Sequence, residues 1–172
     1  MRKGLIHIYT GEGKGKTTAA VGLAVRAKSR GLRVLFVQFM KTGGKGGETD
    51  LLRELSIDVR LYTEIKSPLF YPDTDMGVMR EKAQRYLEEV LSDARGYDLV
   101  IIDEFNNLVR TGIIPEAAAV DYMERFPLDR ELVLTGRGAT EEMIRRADYV
   151  TYMKNIKHPH NRGMPAREGI EF

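Results

Sequence analysis

Leu5-Ile6-His7-Ile8-Tyr9, followed at once by Thr10-Gly11-Glu12-Gly13-Lys14-Gly15-Lys16-Thr17-Thr18, decides how this chain is read. The apolar run is patterned as a strand, the glycine-rich stretch as a loop and the residues beyond as a helix. Such a loop points several backbone N–H groups into one concavity, and the helix N-terminus adds partial positive charge there. Lys16 supplies a full charge for the outer phosphates, and Thr17 a hydroxyl for Mg²⁺. The usual pattern is G-x-x-x-x-G-K-[ST]; here Thr10 stands at the first glycine position and Gly11 follows it. The stretch predicts binding of a nucleoside triphosphate and leaves open which bond is then broken.

Outward from the loop, strand and helix patterns alternate. Residues 17–30 are predicted to be helical, with Gly31 as C-cap. Residues 33–39 are predicted as a second strand, apolar enough to be covered on both faces. Residues 41–47 form a glycine- and lysine-rich loop, 48–55 a short helix and 58–62 a third strand. Residues 64–73 are a loop holding Pro68 and Pro72. The spacing of Met76, Met79, Ala83, Leu87, Val90 and Ala94 predicts a long amphipathic helix over 75–94, with Glu81 and Arg85 as an i,i+4 pair. Tyr97-Asp98-Leu99-Val100-Ile101-Ile102-Asp103-Glu104 is predicted as a fourth, very apolar strand that ends in two carboxylates. A helix over 115–125, a strand over 131–135, a helix over 139–146 and a strand over 149–153 complete the pattern. Repeated β-α-β order predicts an α/β, three-layer, P-loop NTPase-type fold, with a mostly parallel sheet of about six strands and helices on both faces. Ligands bind beyond the carboxyl ends of such strands. Thr10, Gln38, Asp103 and Thr135 lie there.

With 172 residues, a single domain over 1–172 is expected, its 157–172 tail polar and irregular. The 27 basic and 25 acidic residues leave a net charge of +2, too balanced to favour nucleic acid as the partner. The absence of cysteine excludes disulfides, thiolate zinc sites and cysteine nucleophiles. No membrane span or signal peptide is read, and a cytoplasmic protein is expected. His7 lies within a strand and is expected to pack or hydrogen-bond. His158 and His160 alone do not make a metal site.

An acid at the end of a buried strand beside a phosphate loop holds Mg²⁺ or orients a nucleophile, which singles out Asp103 and Glu104. Neighbouring strand residues point to opposite faces, so the two acids need not share a role. In Thr135-Gly136-Arg137-Gly138, Arg137 can reach phosphate or ribose oxygens, or the segment is an ordinary turn. Lys41 can face a polyphosphate or solvent.

Several of these motifs together resemble the ATP:corrinoid adenosyltransferases of the cobalamin-biosynthesis P-loop type. The loop is similar to that family's T-G-N-G-K-G-K-T-T. Val37-Gln38-Phe39-Met40-Lys41 is similar to its V-Q-F-I-K, and Ile102-Asp103-Glu104-Phe105-Asn106 to its L-D-E-L-N. Thr135-Gly136-Arg137-Gly138 with Ala147-Asp148 resembles its T-G-R-G…A-D. Lys157-His158-Pro159, Gly163, Ala166 and Gly169-Ile170-Glu171-Phe172 fall at the spacing of its tail, which the resemblance extends into the site. The family's G-F-T-W segment has no tryptophan counterpart here; Phe70 and Tyr71, within 63–73, are the aromatics available to face a corrinoid.

The resemblance implies transfer of the 5′-deoxyadenosyl group of ATP to the Co(I) of cobalamin or a corrinoid precursor, with triphosphate leaving. It implies nucleotide contacts from Thr10, Gly11, Glu12, Gly13, Lys14, Gly15, Lys16, Thr17, Thr18, Lys41 and Arg137. Mg²⁺ or Mn²⁺ would sit on Thr17, Asp103 and Glu104, and the catalytic groups would be Lys16, Glu104 and Arg137. A homodimer and an external flavoprotein reductase that generates Co(I) are further implications. On the residues alone, three other classes stay open. One is a small-molecule kinase, ligase or ATPase releasing ADP. The others are a nucleic-acid-stimulated motor and a non-catalytic nucleotide or corrinoid binder.

Overall fold

The computed structural model describes residues 3–41 and 47–170, with Gly47, His160 and Asn161 described by their backbone alone. Most of the 41–47 loop, and Glu171 and Phe172 of the tail motif, therefore lie outside the described residues. Six strands, β1 (Ile6–Thr10), β2 (Val34–Phe39), β3 (Asp58–Tyr62), β4 (Leu99–Asp103), β5 (Glu131–Thr135) and β6 (Tyr149–Tyr152), form one sheet in the order β3-β2-β4-β5-β1-β6. Every pairing is parallel, so the mostly parallel sheet of the sequence reading is wholly parallel.

The helices are α1 (Lys16–Lys28), α2 (Gly47–Glu54), α3 (Met76–Asp93), α4 (Phe105–Arg110), α5 (Glu116–Arg125) and α6 (Glu141–Arg146). The period-2 geometry of the strands divides the core. Leu35, Val37, Phe39, Val100 and Ile102 pack with Met79, Ala83, Leu87 and Val90 of α3 and with Tyr122 of α5. Val34, Phe36, Leu99 and Ile101 pack on the other side with Ala20, Ala24 and Ala27 of α1 and Leu52 of α2. The continuous apolar runs of β2 and β4 follow from burial on both faces, and every residue of both is buried. Small alanines on one stripe of α1 let that helix lie close to the sheet.

Asp75 caps α3, its side chain accepting from the N–H groups of Gly77 and Val78 at 2.8 and 3.1 Å. Such a cap stabilises a helix by about 1 kcal/mol. The expected Glu81–Arg85 pairing is replaced by Arg85 with Glu89, at 3.9 Å. Helix α4 was not expected from the sequence. His7 packs as expected, its Nε2 2.7 Å from Glu131 Oε1 and its ring 4.7 Å from that of Tyr149. Among the described residues no helix is long and apolar enough to cross a membrane.

Candidate active site

The loop leaves β1 at Thr10 and enters α1 through Gly15, whose φ of 116° places it in the left-handed region. Gly11 shares that conformation, at φ 100°. A second constraint comes from β6. Met153 donates its N–H to Thr10 O at 2.8 Å, and Gly13 donates its own to Met153 O at 2.7 Å. A β-carbon on Gly11 would stand 2.5 Å from Met153 O, and one on Gly13 2.7 Å from the same atom. These two glycines let the loop rest on the chain leaving β6. Gly13 thus enters the loop through its shape, since its N–H is already given to Met153.

Lys16 begins α1 and folds back over the loop, donating to Gly11 O at 2.8 Å and Gly13 O at 2.7 Å. Burial, reinforced by the Arg137 guanidinium, pushes its ammonium below the ordinary lysine value, against the opposing pull of Glu104, Glu12 and Asp103. Thr10 is buried, and its hydroxyl accepts the Ala139 N–H at 3.2 Å, tying the base of the loop to the approach to α6.

Asp103 is the hub of the site and is 1% exposed. Its Oδ1 accepts from Thr17 Oγ1 at 2.9 Å and from Thr135 Oγ1 at 2.5 Å; its Oδ2 accepts from Gln38 Nε2 at 2.8 Å. Three elements, α1, β5 and β2, therefore aim donors at one carboxylate. Gln38 Oε1 is buried without a hydrogen-bond partner among the described residues. Thr135 Oγ1 also accepts the N–H of Glu104, at 3.1 Å.

Strand alternation stops at Asp103. Glu104 has φ 66°, a left-handed turn that opens α4. Both acids consequently line the same cleft, where an uninterrupted strand would have parted them. Met40, at the end of β2, turns the same way with φ 56° and lines the same cleft. Such conformations in non-glycine residues cost about 1 kcal/mol or more each and collect at functional sites. Burial, and next the Asp103 charge, push the Glu104 carboxyl up to about 7, with Lys16, Arg137 and Lys41 opposing.

The two asparagines of α4 complete the frame. Asn106 Nδ2 donates to Gly136 O at 3.0 Å. Asn107 donates through Nδ2 to Glu104 Oε2, and its Oδ1 accepts the Arg137 N–H at 2.9 Å. Arg137 reaches across to Glu12 of the loop, Nη1 to Oε2 at 3.3 Å. Lys41 forms an ion pair with Glu48. Burial alone would raise the Glu48 carboxyl, but the hydrogen bond and charge of Lys41 hold it below the usual range.

The cleft holds about 720 Å³. Its polar part includes Thr17, Thr18, Lys41, Asp103, Glu104 and Arg137, and Leu69, Phe70 and Ile170 lie on its apolar side. The rim is open: Leu69 is 64%, Phe70 80% and Ile170 56% exposed. Tyr71 is exposed next to Phe70 and is not part of the cleft lining. Lys14 faces away, into a second cavity. The sequence reading did not single out Asn107, which hydrogen-bonds Glu104 and Arg137. Its place three residues after Glu104 in the sequence was the available signal.

A parallel sheet, a glycine loop running into a Lys-Thr helix start, and an acid at the end of a buried strand define a P-loop type nucleotide-binding domain. More particularly, the family model described as ATP:corrinoid adenosyltransferase BtuR/CobO/CobP matches residues 2–172, and the chain belongs to that family. It is similar to the corrinoid adenosyltransferase of Sinorhizobium sp, with 37% identity over 174 residues, 99% of this chain and 81% of that protein. The corrinoid adenosyltransferase of Escherichia coli K12 is 32% identical over 171 residues, 99% of this chain and 86% of that one. Corrinoid adenosyltransferase CobA of Salmonella typhimurium LT2 is 29% identical over 175 residues, again 99% and 86%.

Proposed function

We propose that this chain transfers the 5′-deoxyadenosyl group of ATP to the Co(I) of cobalamin or a corrinoid precursor and releases inorganic triphosphate. One observation carries the reading beyond family membership. The Thr17–Asp103–Glu104 cluster, next in the chain to Lys16, opens into the same cleft as Leu69, Phe70 and Ile170, so a polyphosphate end and a large apolar face share one space. Co(I) attacks the ribose C5′, the C5′–O bond breaks, and its electron pair leaves on triphosphate. The reaction removes no proton at the attacking atom, so no general base is called for. The loop backbone and Lys16 stabilise the leaving anion as its charge grows, and the cleft walls align cobalt, C5′ and the departing oxygen. Arg137 and Lys41 contact phosphate or nucleoside once drawn from their carboxylate partners.

The oxygen donors of Thr17, Asp103 and Glu104 suit a hard divalent cation. Among the described residues no group of three or more His, Cys, Asp or Glu is placed to cage a metal unaided. That favours Mg²⁺ or Mn²⁺ shared with substrate phosphates, on which it would neutralise developing charge. Phe70, on the rim of the cleft, is proposed to face the corrinoid, with Tyr71 beside it reaching the corrinoid only outside the present lining. The reading treats residues 1–172 as one domain in the cytoplasm, with the 157–172 tail lending Ile170 to the site. It also expects a homodimer supplied with Co(I) by an external flavoprotein reductase.

The test is anaerobic incubation with ATP, Mg²⁺ and chemically reduced corrinoid, following the cobalt–carbon absorbance change and triphosphate. Wild type should give both, and Lys16→Ala neither. ADP and orthophosphate as the only nucleotide products, with an unchanged corrinoid spectrum, would overturn the reading.

A further inference from the structure

A second cavity, of about 530 Å³, opens off the other side of the nucleotide loop. Gly13 and Lys14 belong to its wall, and the chain leaving β6 and the tail supply the rest. Its charge differs from that of the main cleft. There, Lys41 faces Glu48, Arg137 faces Glu12, and Arg110 shares the lining with Asp103 and Glu104. Here the described lining contains Lys14, Lys154, Lys157, Arg167 and His158, and no carboxylate. Lys14, His158 and Arg167 have partners of their own, so what the cavity offers an anion is a summed positive field and not a free cation. The described lining has no Phe, Tyr or Trp either, so no such ring is offered to stack on a nucleobase. The cavity is fixed to the loop, because Gly13 bonds to Met153 and packs against the carbonyl of Lys154.

We propose that this cavity is a second anion site, and that its ligand is an inorganic polyphosphate of the triphosphate class. Four ammonium and guanidinium groups around one concavity match a chain of several charges better than a single carboxylate. The proposal rests on the reading above in one respect: triphosphate is the anion that the neighbouring loop would release. The cavity is then the first station of the leaving group outside the loop.

The test is calorimetric titration with sodium triphosphate alone, without nucleotide, corrinoid or turnover. With the loop site weakened by Lys16→Ala, adding Lys154→Ala/Lys157→Ala should weaken triphosphate binding at least about tenfold further and make its salt dependence shallower. Lys154→Arg/Lys157→Arg, which keeps both charges, should stay within about threefold of wild type, separating charge from folding. Lys16→Ala should keep measurable triphosphate binding. The proposal fails if adding the alanine pair to Lys16→Ala changes triphosphate binding by less than about twofold, or if Lys16→Ala alone loses all binding, since either result leaves the loop as the only anion site. The adenosyl-transfer reading fails separately, through ADP and orthophosphate in the turnover assay.

Discussion

Replacing Gly13 by alanine tests how the nucleotide loop is held. The new β-carbon would stand 2.7 Å from Met153 O and 2.9 Å from Lys154 O. Both obstacles are backbone, so no side chain can swing aside. The loop must back away from β6, and the Gly13 N–H bond to Met153 O, 2.7 Å long, is stretched or lost. Loss of one such bond costs about 1 kcal/mol. Forced overpacking adds about 1–3 kcal/mol. The sum, about 2–4 kcal/mol, lowers Tm by about 4–16 °C in a domain of this size. Gly22→Ala supplies the matched control. Gly22 lies exposed within α1, and nothing is within 4 Å of its added β-carbon. There the same exchange should stabilise the chain by about 0.5–1 kcal/mol, because alanine loses less conformational entropy in a helix. Thermal unfolding followed by circular dichroism reads the opposite signs. ATP titration should show the affinity of Gly13→Ala reduced at least about tenfold, since the loop has moved. If Gly13→Ala melted within about 1 °C of wild type and bound ATP normally, the loop would not rest on the β6 exit as described.

Two further outcomes follow from the cleft. Glu104, pushed from 4.5 up to about 7, binds its proton more tightly in the folded chain than in the unfolded one. In metal-free buffer, stability should therefore rise as pH falls from 8 through 7 toward 4.5, by at most about 3 kcal/mol. Glu104→Gln should be more stable than wild type at pH 8, with the advantage gone near pH 5; denaturant melts at both pH values check this, and equal midpoints at pH 8 would contradict it. Phe70 is 80% exposed, so Phe70→Ala should leave Tm within about 1 °C. The corrinoid KM should rise several-fold with the ATP KM unchanged, and an unmoved corrinoid KM would remove Phe70 from the site.

The sheet was legible because β2 and β4 are apolar without interruption, which only burial on both faces explains. The loop was legible because Gly15-Lys16-Thr17 sits between a strand pattern and a helix pattern, even with Thr10 at the usual first glycine position. Helix α4 was not. It has six residues, two of them asparagine, and it starts from a left-handed Glu104 that no local pattern announces. The same turn explains why Asp103 and Glu104 share a cleft when strand alternation would separate them. The pairings Glu12–Arg137 and Lys41–Glu48 were equally hidden. Each joins charges whose partners depend on how the loops fold over the sheet. A lysine or arginine near a phosphate loop reads the same whether it faces a ligand or a carboxylate.

Strand order was the other unreadable quantity, and it sets the chemistry of the two acids. Because β5 lies between β1 and β4, the loop strand and the acid strand are not neighbours. They stand two strand spacings apart, about 9.5 Å. Thr17 spans that gap from α1, while Thr135 fills it from β5 and donates to Asp103 at 2.5 Å. With Gln38 bonded from the other side, Asp103 is held by donors on three elements. A carboxylate so fixed is a poor candidate for movement, because moving it would leave buried donors unpaired. Glu104 is different. Its side chain has one amide donor, Asn107, and its carboxyl sits near 7. A cation sharing the two acids, as proposed, would therefore move Glu104 more readily than Asp103. The inserted strand thus divides two adjacent acids into a fixed anchor and a responsive charge.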